Sequence, residues 1–211
     1  MAQKMMKRMP SGLEDGLEKM SPTEELGVEH GQLTRILLAM DNVLRGSASV
    51  PKANLGPINQ ACKMIRQSVV DHHMKIEEEH VYPRFEDTDL ADCASTLKTQ
   101  HIEARKLLAH MESLAKSGTL RDKAAMEELK RTFNDFKDMI TAHAAFEETI
   151  LFPVMEGTWS QKDLDNLREI QEEDEKKLMG DDAAEKTFEM LASLESSCGV
   201  TGLRDYTRRM K

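Results

Sequence analysis

One stretch occurs twice in this chain and restricts the folds open to it. His73-Met74-Lys75-Ile76-Glu77-Glu78-Glu79-His80-Val81-Tyr82-Pro83 and His143-Ala144-Ala145-Phe146-Glu147-Glu148-Thr149-Ile150-Leu151-Phe152-Pro153 agree in the histidine, the first two glutamates, the aromatic and the proline. On a helix, residues four apart share a face. Each copy therefore aims an imidazole and a carboxylate in one direction. Two such pairs facing each other are suited to a pair of metal ions.

The flanking sequence places both copies on bundle helices. Ser21, Pro22 and Glu24 form a helix start with a capping box. Leu26, His30, Leu33, Leu37, Met40 and Leu44 then alternate four and three apart, the seam of a bundle helix that ends at Gly46. After a loop over 47–56, Pro57 opens a second helix running to about Tyr82, with Cys62, Ile65, Val69, His73, Glu77 and His80 on its seam and Pro83 at its end. A third helix carries Leu90, Ala94, Leu97, His101, Ala104, Leu108, Met111 and Ala115, and Gly118 is its expected cap. The fourth, about 121–155, carries Leu129, Phe133, Phe136, Ile140, His143, Glu147, Ile150 and Val154. A fifth is expected from after Ser160 to near Gly180, with the charges from Glu169 to Lys177 as a solvated face, and a sixth over about 182–197.

The first four helices form an internal repeat. Glu29-His30 through Met40 aligns with Gln100-His101 through Met111, and His30 precedes His73 much as His101 precedes His143. Two related helix hairpins predict an all-α protein, an antiparallel up-down four-helix bundle with two additional C-terminal helices. The expected organisation is a mobile N-terminal arm over 1–20, the bundle over 21–157 and a helical extension over 158–211. No run of alternating β-branched residues argues for strands.

Composition narrows the function. The net charge of −9 offers no basic surface for nucleic acid. The basic start, Lys4 with Lys7 and Arg8, lacks the apolar run of a signal peptide, and no stretch is apolar enough to span a membrane. Cys62, Cys93 and Cys198 are odd in number and far apart, which fits reduced thiols, expected as small buried side chains. The expected location is the cytoplasm.

His30, His73, Glu77, His101, His143 and Glu147 all fall on apolar seams. Burying that set without compensation costs several kcal/mol for each unpaired carboxylate, roughly. Metal coordination turns every one of these groups into a ligand. Imidazole and carboxylate without thiolate suit Fe, Mn or Zn. The set is too large for one tetrahedral ion. It suits two ions, one held by His30 and His73, the other by His101 and His143, with Glu77 and Glu147 between them. His80 lies one turn beyond Glu77 and is a possible extra ligand or supporting group; Ile150 stands at its place in the other copy. His72 is expected to be partly exposed, His110 to lie on the surface, Tyr82 to pack as an aromatic at the bundle end, and Glu78 and Glu148 to face solvent.

The order His, His-x-x-x-Glu, His, His-x-x-x-Glu over about 22–156 resembles the hemerythrin-like, cation-binding family. The segment from Leu164 to Tyr206 resembles longer bacterial members with two extra helices. The resemblance implies two iron ions, oxo- or hydroxo-bridged, on His30, His73, Glu77, His101, His143 and Glu147. It implies binding of O2, NO or peroxide for sensing, binding or detoxification, with an electron donor as a further partner. It also allows an enzyme, for peroxide decomposition or iron–sulfur centre repair, or a purely structural metal site. The chain departs from oxygen-carrying hemerythrin one turn after His101, where Arg105 replaces a histidine. A guanidinium cannot ligate iron, so reversible O2 carriage is the less favoured role.

Overall fold

The computed structural model describes residues 19–46, 53–116, 119–120 and 122–200, with Gly12, Leu13, Gly16, Gly202 and Asp205. The expected arm over 1–20 and the expected cap Gly118 fall largely or wholly outside these residues. The described chain is a helical bundle. Helix α1 spans Pro22–Gly46. Its capping box forms as expected: Ser21 Oγ accepts the Glu24 N–H at 3.2 Å, and Glu24 Oε2 accepts the Ser21 N–H at 2.9 Å. Helix α2 begins as Gly56–Met64, widens to π geometry over Ile65–His73, is α-helical over Met74–Ile76 and π again over Glu77–Val81. A 3-10 turn follows at Tyr82–Phe85. Helix α3 is Ala91–Ala115. Helix α4 runs through Lys123–Phe146, a π turn at Glu147–Leu151 and Phe152–Thr158. Helices α5 and α6 are Gln161–Met179 and Ala183–Ser197.

Two short strands, β1 (Ala53–Asn54) and β2 (Thr119–Leu120), pair antiparallel where the chain enters α2 and α4. The sequence reading has no strand there, because two residues in a loop leave no alternation to detect.

The π turns recur at the same place in both copies of the repeated stretch. Tyr82 N–H donates to the Glu77 carbonyl and Phe152 N–H to the Glu147 carbonyl, five residues back. In a regular α-helix five residues overshoot a full turn by about 140°. The wider π turn narrows that gap and brings the aromatic toward the face of its glutamate. Such π-bulges concentrate at functional sites.

The buried apolar side chains form two clusters. The larger includes Leu33, Met40, Val69, Ala104, Phe133, Phe136 and Ile140; the smaller includes Leu26, Val81, Tyr82, Leu97, Leu151 and Phe152. On α1 and α3 the smaller cluster precedes the histidine; on α2 and α4 it follows the histidine, from Ile76 on α2 and from Leu151 on α4. His30, His73, Glu77, His101, His143 and Glu147 are buried in a polar layer between the two.

The last two helices do more than cover an apolar face. Leu191 and Leu194 of α6 join the larger cluster, and Glu195 accepts from Arg35 on α1 at 2.8 and 2.9 Å. Helix α5 starts on a capping box between Ser160 and Asp163 and places Leu167 in the smaller cluster. Its charged stretch is not wholly solvated as expected: Gln171 and Asp174 are buried, and Gln171 donates to the Pro22 carbonyl at 3.1 Å. The four-residue helical step from Gln171 to Glu175 has one side turned to α1 and α2, which charge alone does not reveal. The three cysteines are free; Cys62 and Cys198 are buried and Cys93 is half-buried. Among the described residues no helix is long and apolar enough to cross a membrane.

Candidate metal centre

The structure brings the six seam residues together as two overlapping sets. His30, His73, Glu77 and Glu147 offer ligand atoms within 4.8 Å of one another, and so do Glu77, His101, His143 and Glu147. Both glutamates are common to both sets. His73 Nε2 and His101 Nε2 each lie 3.4 Å from Glu77 Oε2. His30 Nε2 and His143 Nε2 lie 3.4 and 3.1 Å from Glu147 Oε2. The rings pair as the sequence pairs them: His30 with His73 and His101 with His143, each at 4.7 Å between centroids.

Among the described residues, His30 Nε2, His73 Nε2, Glu77 Oε1 and Glu147 Oε2 are buried without a hydrogen-bond partner. Orphaned polar atoms in an apolar interior are costly, and these converge on one another. The donor set of imidazole nitrogens and carboxylate oxygens fits divalent or trivalent first-row metals.

Each ring keeps Nε2 inward because Nδ1 is engaged elsewhere. Nδ1–H donates from His73 to Glu29 at 2.6 Å, from His143 to Gln100 at 2.9 Å, from His30 to Glu148 at 3.1 Å and from His101 to Glu78 at 2.9 Å. The pattern follows the repeat. The residue before the first histidine of a hairpin supports the second histidine of that hairpin. The residue after each shared glutamate supports the first histidine of the other hairpin. Such partners orient a ligating ring and raise its basicity. The expectation that Glu78 and Glu148 merely face solvent is therefore corrected. Both are partly accessible, but each carboxylate turns in to a histidine. The doubled Glu-Glu in both copies was the available signal. Arg105 Nη1 also donates to Glu78 at 2.6 Å, so its cation is spent outside the polar layer.

Tyr82 is a second correction. Its ring packs in the smaller apolar cluster as expected, but its hydroxyl enters the site, 2.6 Å from Glu147 Oε1, 3.3 Å from Glu77 Oε2 and 3.2 Å from His101 Nε2. Regular helical spacing would turn Tyr82 away from the glutamate, and the π turn at Glu77 brings it round to this face. His72 is the third. It is buried, with Nδ1 3.0 Å from Asp174 Oδ2 and Nε2 3.2 Å from Glu29 Oε1. The arriving helix α5, not the bundle, buries it. His80 stands outside both sets, its side chain 36% exposed and its Nε2 3.8 Å from Glu79. His110 lies at the surface against Glu128.

Charge is arranged to match. Burial opposes ionisation of Glu77, but the neighbouring His73 and His101 hold its carboxyl well below the usual range. Burial likewise opposes a charge on Glu29, and its bonds from His72 and His73 bring it down to about 2. Burial works against a proton on His73, yet Glu77 and Glu29 raise it well above its ordinary value. Burial and the two shared glutamates push the Tyr82 phenol well up, so it stays a proton donor. A metal ion entering this site displaces protons from the histidines.

The chain matches the hemerythrin HHE cation binding domain over residues 21–153 and again over 92–210. It belongs to that family. Membership implies binding of a metal cation, typically iron, in keeping with the two His/Glu sets. The second match begins at the second hairpin of the hemerythrin domain and takes in α5 and α6. Curated relatives include uncharacterized proteins of Mycobacterium bovis and Mycobacterium tuberculosis, each 28% identical over 185 residues, which is 87% of this chain and 72% of the relative. No solved structure matches the chain.

Proposed function

We propose that this chain is a non-haem diiron protein that binds O2, NO or peroxide. His30 and His73 hold one iron, His101 and His143 the other, and Glu77 and Glu147 bridge them, with an oxo or hydroxo group completing the bridge. The observation that carries this reading is the sharing of both buried glutamates by two four-residue sets whose orphaned atoms face inward. The pair, when bound, supplies reversible one-electron steps and open positions for a small ligand. A cleft of about 310 Å³ between α1 and α4, lined by Gly27, His30, Gly31, Ile140, Ala144 and Glu148, reaches the His30 edge and is wide enough to admit a small ligand.

The wider reading goes with it. The opposite placing of the smaller apolar cluster on alternate helices supports an antiparallel up-down four-helix bundle over 21–157, with 158–211 as its extension. Free cysteines support a cytoplasmic protein, the acidic net charge supports one without a nucleic-acid or membrane partner, and an iron pair that changes oxidation state would call for an electron donor.

A specific observation favours an enzymatic version, the decomposition of peroxide to water and O2. The Tyr82 phenol is a protonated group in hydrogen-bond reach of both shared glutamates, able to deliver and recover a proton at the site. Peroxide acts as both oxidant and reductant in that reaction, so no further electron donor enters it.

The test is metal content with an absorption spectrum, on full-length protein loaded with ferrous iron and exposed to air. Two irons per chain with oxo-bridge charge-transfer bands are expected. Zinc alone, or no metal, overturns the reading. Titration of the reduced protein with O2, NO and peroxide then separates binding from turnover.

A further inference from the structure

The helical extension reaches the site through a continuous line of side chains. Asp174, on α5, is buried, and its Oδ2 lies 3.0 Å from His72 Nδ1. His72 turns its other nitrogen to Glu29 Oε1 at 3.2 Å. The second oxygen of Glu29 accepts from His73 Nδ1 at 2.6 Å. Lys75 closes the far end on Asp174 Oδ1. Glu29 thus accepts a hydrogen bond from His73 on one oxygen and lies in ion-pair reach of His72 with the other. One of these imidazoles, His73, presents its buried Nε2 to the shared glutamates; the other is anchored by a helix outside the repeat.

The second hairpin has no such line. Gln100 stands where Glu29 stands, and Ala142 where His72 stands. The rings of His73 and His143 are therefore supported differently, one by a carboxylate held from outside and one by a neutral amide. A supporting carboxylate sets both the orientation and the basicity of a ligating imidazole. Its hold depends on what constrains the carboxylate in turn.

We propose that Asp174 is a positioning residue of the metal centre, acting through His72 and Glu29 to fix His73 and thereby the affinity of one metal position over the other. The inference rests on the reading of the six residues as a two-metal site. It makes the C-terminal extension a working part of that site, and it makes the two positions unequal.

Cobalt(II) titration of the full-length metal-free protein, followed by its visible d–d bands against a competing chelator, tests this. Wild type takes up two Co2+ ions; failure to do so overturns the two-metal reading itself. Given two, Asp174→Asn is expected to weaken one position about tenfold and leave the other unchanged. Glu29→Gln weakens the same position. Adding Asp174→Asn to Glu29→Gln costs nothing further, because the path is already cut. An unchanged affinity in Asp174→Asn, an equal loss at both positions, or the same further loss in the Glu29→Gln background overturns the proposal and leaves the two-metal reading standing. Circular dichroism checks folding. Should Asp174→Asn not fold, His72→Gln takes its place with the same outcomes.

Discussion

The hydroxyl of Tyr82 lies 2.6 Å from Oε1 of Glu147, a residue of the other hairpin. Its counterpart in the repeat, Phe152, instead stacks on His30, with ring centroids 5.8 Å apart and planes 9° from parallel. Two halves that agree in their ligands and in the supporting carboxylates of Glu78 and Glu148 therefore differ in the aromatic that meets the polar layer. One half presents a proton donor, the other a flat apolar face.

That difference can be erased by one atom. Tyr82→Phe removes the donor that Glu147 uses in the metal-free protein and leaves a buried carboxylate short of a partner. The metal-free variant is expected to be less stable by about 1–3 kcal/mol, read as a shift in denaturant midpoint. The variant is expected to keep two metals, because the ligand set is intact, and to lose peroxide turnover. Retention of full turnover would remove the phenol from any enzymatic role.

Gly27 makes room for a supporting carboxylate. A Cβ built at Gly27 would lie 2.9 Å from Glu148 Oε1, the atom that accepts from His30. Glu148 is 43% exposed and sits at the end of a flexible side chain, so it can swing away at little cost in stability. Gly27→Ala is thus expected to keep or raise the melting temperature, Ala being the better helix former by about 1 kcal/mol, while weakening metal binding about tenfold at the position held by His30. Equal affinity in variant and wild type would show that the Glu148 contact is dispensable.

How far the sequence discloses this arrangement depends on the kind of contact. The seams on α1 and α3, and on α4 as far as Glu147, were legible because helical periodicity and burial are the same fact seen twice: Leu33, Leu108 and Phe136 recur at the right spacing and are buried. Past Glu147 the π turn buries Leu151 and Met155 in place of the expected Ile150 and Val154. The clustering of six histidines and glutamates was legible for the same reason. Tyr82 was hidden by a π turn, since spacing rules assume a constant number of residues per turn. His72 was hidden because its partner Asp174 lies 102 residues away on a helix outside the repeat. Glu78 and Glu148 were visible as repeated letters, but a charged residue next to a ligand reads as surface until its neighbour's second nitrogen is placed.

His80 is the clearest case of a spacing that does not become a contact. It follows Glu77 by three residues, yet its ring points to Glu79 and solvent. The π turn that rotates Tyr82 inward carries His80 off the seam. His80→Ala is expected to retain two metals, the same visible spectrum and the same peroxide turnover as wild type. A loss of metal would return His80 to the ligand set.

Glu25 gives the stability of the fold a pH dependence of its own. It sits on α1 against α5. Burial, with Glu29, Glu175 and Glu172 as like charges and His72 as the opposing one, raises its carboxyl from 4.5 to about 7. Glu175 is raised for the same reasons. The folded chain therefore holds a proton on Glu25 at pH values where the unfolded chain has released it. Stability from this group is present below about pH 4.5 and is lost as pH rises through about 7, because the folded state binds the extra proton. Glu25→Gln removes the ionisation and keeps the shape. The melting temperature of the variant should match wild type near pH 4, exceed it increasingly up to about pH 7 and level off above that. Titrating groups that do not touch Glu25 are common to both proteins and cancel in the difference, whereas Glu29, Glu175, Glu172 and His72 titrate together with it. A difference that is flat across this range would show that Glu25 ionises freely in the folded chain.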